Sequence, residues 1–147
     1  MRKYLYTLLT LFTFVLTSCE SYLVNGDLDG FWQVESIEDK QTGEITRCKG
    51  DIYYSFQREL VLVSYTQSGN PTGQMKENYI AYFTHENDTI TMTDFRVYLD
   101  RDGKQAPLSK LEKFGLHELH NVFHVEKLTG KSLVLDSEKA HIILRKH

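Results

Sequence analysis

The chain has 147 residues, with 17 basic against 20 acidic side chains and a formal net charge of −3. That length is enough for one domain with its own core. The acidic balance, with no basic cluster, argues against nucleic acid as a partner, because such binding rests on phosphate contacts by Lys and Arg.

Arg2 and Lys3 precede an apolar run at residues 4–15, which leads into Leu16, Thr17, Ser18 and Cys19. The run is shorter than the roughly 20 apolar residues of a membrane-spanning helix. A basic start, an apolar middle and small residues in that order mark a secretion signal. The segment ending in Cys19 resembles the lipobox of bacterial lipoproteins. That resemblance implies a signal peptide at residues 1–18, lipidation of Cys19, and a place in the bacterial cell envelope. With only Glu20 acidic among the residues just after Cys19, a periplasm-facing position is preferred over surface exposure. The membrane is then a partner reached through the N-terminal lipid, whose buried methylenes contribute about 0.8 kcal/mol each. Residues 19–29 read as a lipidated, flexible leader, and residues 30–147 as the folded domain. With Cys19 committed to lipid, Cys48 has no disulfide partner. Its neighbours Arg47 and Lys49 would favour a thiolate, but a half-buried structural thiol is the preferred reading.

From Gly30 onward, short alternating segments predict strands. Trp32, Val34 and Ser36 share one face of the first. A turn at residues 39–43 follows, then alternation of Ile52, Tyr54 and Phe56. Residues 60–65 are apolar on both faces, as in a strand covered on both sides. The stretch Ser68, Gly69, Asn70, Pro71, Thr72, Gly73 is the clearest loop. Residues 79–84 and 89–95 form a hairpin around residues 85–88, and a turn at residues 100–103 follows. Leu108, Leu111 and Phe114 fall at helical spacing, with Pro107 placed to open a short helix and Gly115 to close it. Three more strands, at residues 121–128, 132–136 and 140–146, complete the chain.

About eight antiparallel strands in one small domain must dispose of their edges, either by closing into a barrel or by packing as a sandwich. Gly30, Phe31 and Trp32 at the first strand, with Arg145 near the end of the last, resemble the G-x-W pattern of the calycins and of small lipocalin-like lipoproteins. The resemblance implies an all-β fold: a lipocalin-like antiparallel β-barrel of about eight strands with one short helix. It also implies that Gly30, Trp32 and Arg145 close the barrel structurally, with the arginine lying across the tryptophan ring in a cation–π contact. Longer lipocalins carry a helix after the barrel; here the short helix precedes the last three strands.

For catalysis the sequence offers no nucleophile elbow, phosphate loop or dinucleotide fingerprint, so an enzyme is not expected. No cofactor and no metal are expected either. His117, Glu118, His120, His124 and Glu126 would make a transition-metal site if residues 117–120 were helical, but a solvated strand edge is the preferred reading. Asp88, Thr89 and Ile90 resemble an acceptor triplet for bacterial O-glycosylation. Tyrosines pointing into a barrel would orient a small molecule, which makes Tyr54, Phe56 and Tyr82 the candidate ligand-binding residues. Two functions follow as expectations: binding of a small apolar or amphipathic ligand inside the barrel, or a non-catalytic scaffold or accessory subunit that binds another envelope protein.

Overall fold

The computed structural model describes residues 24–66 and 75–147. The signal peptide, Cys19 and the loop expected at residues 68–73 lie outside the described residues. Among these there are nine strands: β1 (Gly30–Asp39), β2 (Glu44–Arg47), β3 (Ile52–Gln57), β4 (Leu60–Thr66), β5 (Met75–Glu86), β6 (Thr89–Val97), β7 (His120–Leu128), β8 (Ser132–Asp136) and β9 (Ala140–Lys146). A single helical turn, α1 (Leu108–Leu111), runs on as a 3-10 turn to Phe114.

Strands β3 to β9 pair antiparallel in sequence order, and β9 returns to β1, so eight strands close on themselves. The barrel is the expected lipocalin-like all-β architecture, and the sandwich is excluded by that closing pair. Strand β2 is additional. It runs beside the second half of β1, from Ser36 to Asp39, beyond the stretch Gly30 to Gln33 where β3 pairs with β1. All four of its side chains are exposed, which explains why apolar alternation did not reveal it.

Period-two alternation carries most of the fold. Ile52, Tyr54 and Phe56 of β3 and Val61 and Val63 of β4 all face the interior. Strand β1 departs from it. Its pairing with β9 slips between Val34 and Ser36, leaving Glu35 as the extra residue of a β-bulge, and the alternation changes phase. Ile37 is therefore buried in place of the expected Ser36.

One end of the barrel is closed by the chain that enters it. Gly26–Leu28 form a 3-10 turn, and Leu28 and Asp29 are buried. Asp29 accepts hydrogen bonds from the Asn25 backbone and side-chain amides, and Asn25 Nδ2 also donates to the Arg58 carbonyl at 2.8 Å. Residues 25–29 thus belong to the barrel, where a flexible leader was expected, because Leu28 has apolar surface to bury there.

The opposite end is stoppered by α1 and the segment after it. Pro107 precedes the helix, and Gly115 ends it at φ 81°. Leu111, Phe114 and Leu116 are fully buried, whereas Leu108 is exposed on the outer side of the single turn. At Gly115 a Cβ atom would come within 2.8 Å of Ile142 Cδ1 and 3.1 Å of Ile37 Cγ2. Only glycine lets the stopper sit this close to β1 and β9 in that backbone conformation.

Between the two ends the interior is packed among the described residues. Trp32, Tyr54, Phe56, Phe95, Phe114 and Phe123 each retain at most 1% of their surface. A side chain facing a void that could hold water would keep accessible surface, so these residues face other side chains.

Candidate functional site

Trp32 sits at the closed end, and its Nε1–H donates to the Leu28 carbonyl at 2.8 Å. The cation over its ring is Lys146, with Nζ 4.9 Å from the ring centroid. Arg145, expected there, points outward, where it pairs with Glu35 at 3.2 Å and donates to Gln33 Oε1 at 2.7 Å. The reason is strand alternation: Ile142 and Leu144 face inward on β9, so residue 146 shares their side and residue 145 does not. Gly30 is at φ 128°, and a Cβ there would lie 2.8 Å from Lys146 Cε.

Of the three expected ligand residues, Tyr54 and Phe56 lie together inside the barrel, with ring centroids 6.1 Å apart, and Tyr82 is not with them. Tyr54 is fully buried and its hydroxyl donates to the Phe114 carbonyl at 2.8 Å, tying β3 to the stopper. Burial pushes that hydroxyl well above the ordinary tyrosine range. Phe56 packs edge-on against Phe83 with centroids 5.1 Å apart. Tyr82 corrects the expectation outright, since it lies on the outer face and is 54% exposed. Its strand pairs with β6 across an irregularity between Ile80 and Tyr82, where Asp94 adopts φ 58°. Leu60, Ile80, Tyr82, Asp94 and Arg96 line an outer groove of about 400 Å³. The Asp94 carboxylate accepts from Arg96 Nε at 2.9 Å, leaving an apolar strip bordered by one ion pair.

A second groove of about 450 Å³ lies at the stoppered end and is lined by His117, Glu118, His120, His124, Asp136 and Lys139, among others. Residues 116–119 are not helical, which removes the premise on which His117 and His120 would share a metal. Asn121 holds this turn by donating to the Glu118 carbonyl and accepting from its N–H. Lys139 pairs with Glu118 and holds its carboxyl below the ordinary range. His120 and His124 project outward from β7.

Cys48 is half-buried and packs against the core. Burial, with a smaller contribution from Asp51, pushes its thiol up to about 11. Arg47 and Lys49 are exposed and do not offset this. Thr89 is exposed at the β5–β6 turn, while Ile90 of the same triplet is buried.

A search of curated proteins finds no match. Among solved structures, the chain is similar to a lipocalin-like protein from Bacteroides uniformis, with 22% identity over 83% of this chain and all of that one, at a TM-score of 0.60. It is also similar to an uncharacterized protein from Bacteroides eggerthii, with 23% identity over 82% of this chain and 99% of that one, at a TM-score of 0.61. Both likenesses concern the fold. Residues 14–147 match the family model of the lipocalin-like domain, and the chain belongs to that family.

Proposed function

We propose that this protein is a lipocalin-like envelope lipoprotein, lipidated at Cys19, that acts as a non-catalytic scaffold and binds another envelope protein through the outside of its barrel. The observation that carries this reading is the packed interior. Trp32, Tyr54, Phe56 and Phe114 leave no accessible surface for a guest, and the end that could admit one is occupied by Leu111, Phe114 and Leu116. The same reading calls for exposed apolar surface, which isolated soluble domains keep small. Leu60 and Tyr82 provide it as opposed residues on β4 and β5. The alternative, a small apolar or amphipathic ligand inside the barrel, requires the stopper to leave and its three apolar side chains to be exposed.

The test combines ligand titration with cross-linking in cells. A panel of fatty-acid-like ligands should change neither Trp32 fluorescence nor the melting temperature. A photo-reactive group at Tyr82 should give one discrete cross-linked product in intact envelopes, absent when the group replaces Glu138 on the far side of the fold. A stoichiometric ligand that shifts both Trp32 fluorescence and melting temperature would overturn the scaffold reading in favour of an interior site. Intact mass at Cys19 checks the lipid separately.

A further inference from the structure

We propose that Glu126, Asp136 and His141 form a binding site for a divalent transition-metal ion on the outer face of β7, β8 and β9. In sequence these residues are far apart, and no spacing rule joins them. The sheet register does. Asp136 is directly opposite His124 on one side and His141 on the other, and opposed residues on one face hold their Cβ atoms about 5 Å apart. The β7–β8 pairing slips between Val125 and Lys127, leaving Glu126 as the extra residue of a bulge. From there its carboxylate reaches over β8, and its Oε2 lies 3.2 Å from His141 Nε2.

One donor atom from each of the three residues lies within 4.8 Å of the other two. A zinc-sized ion about 2.1 Å from each donor would bring them to about 3.4 Å apart, a closure that rotation of the Glu126 and Asp136 side chains can supply. One imidazole nitrogen and two carboxylate oxygens suit zinc, manganese, iron or cobalt, whereas calcium selects oxygen alone. Three protein donors leave positions for water, and His124 stands next to Asp136 as a further donor. Asp136 already attracts one cation, the Lys40 ammonium. Both partners of that pair are partly exposed, so the pair is weak and Lys40 acts as a competitor that a metal displaces.

The test uses the full chain in detergent with Co²⁺ alone as the probe, read by its visible absorption, and Zn²⁺ competition to displace it. A saturable one-to-one signal is expected. His141→Ala and Asp136→Asn should each weaken binding by about tenfold or more, Lys40→Met should tighten it several-fold, and the His117→Ala/His120→Ala double variant should leave it unchanged. Circular dichroism of each variant confirms that the barrel is intact. No signal at millimolar Co²⁺, or a signal that survives both His141→Ala and Asp136→Asn, overturns the site. A signal lost equally in the His117→Ala/His120→Ala variant also overturns it, by moving the metal to the neighbouring groove.

Discussion

The ammonium of Lys146 lies 4.9 Å from the centroid of the Trp32 ring and donates to the carbonyl oxygens of Asp27 and Asp29, at 2.7 Å each. One side chain near the end of the last strand thus joins the first strand to the turn that leads into it. Lys146→Ala should cost about 1–3 kcal/mol, the worth of charge-assisted hydrogen bonds together with a cation–π contact. Arg145→Ala should change stability by less than about 1 kcal/mol, because its contacts are exposed. Urea unfolding of the two variants measures both, and equal losses would show that Arg145 shares in closing the barrel.

Gly30 makes room for the Lys146 stem at φ 128°. Gly30→Ala forces a Cβ into that stem and into a backbone region that suits glycine, and should cost about 1–3 kcal/mol. In the Lys146→Ala background the steric part disappears and only the backbone strain remains. A double-mutant cycle should therefore show a coupling that offsets part of the two single losses.

The stopper can be opened deliberately. Tyr54→Phe leaves the buried Phe114 carbonyl without its donor and should cost about 1–3 kcal/mol. Phe114→Ala removes a ring that packs edge-on against Tyr79, and should cost about 3–5 kcal/mol and leave a cavity. An apolar dye should gain fluorescence with Phe114→Ala and not with the unaltered protein. Equal dye binding by both would contradict a packed interior.

Cys48 supplies a pH prediction with a definite sign. Its thiol ionises near 9.0 when unfolded and near 11 when folded. The raised folded value means that stability is fully present below pH 9 and is lost as the pH rises from 9 towards 11, where the unfolded chain releases the proton first. Cys48→Ala should flatten that part of the stability–pH curve. Alkylation at neutral pH should also be slower than for an exposed thiol, since the thiolate is the reactive form.

Glu77 acts in the acid range. A hydrogen bond from Lys113, helped by Lys110, holds its carboxyl below the ordinary value, and so ties β5 to the stopper. A depressed folded value gives stability that is present above the unfolded carboxylate range and lost as the pH falls through the folded one. Glu77→Gln should reduce the acid dependence of the melting temperature while changing the melting temperature at pH 8 only modestly.

Much of the barrel was legible because burial imposes a local period. Ile52, Tyr54 and Phe56 alternate as interior residues must, and Pro107 with Gly115 brackets the helix through its backbone preferences. Lys146 was legible too, by carrying the alternation of Ile142 and Leu144 one step further, but the resemblance drew attention to Arg145. Tyr82 lies outside by the plain alternation of its strand, in which Tyr79, Ala81 and Phe83 are buried; the extra residue of the β5–β6 irregularity is on β6. The bulge after Val34 does change the match between strand position and face, and it has no marker in the residues themselves.

The sequence by itself determined an all-β domain, the turns at residues 39–43 and 85–88, its short helix and the tryptophan near the start of its first strand, since each depends on neighbours a few positions away. Tertiary structure alone decided that the helix stops one end of the barrel, that the aromatics fill the interior, and that Glu126, Asp136 and His141 share one patch of surface. Those facts depend on strand register and barrel closure, which bring distant residues together through backbone hydrogen bonds that carry no side-chain signature.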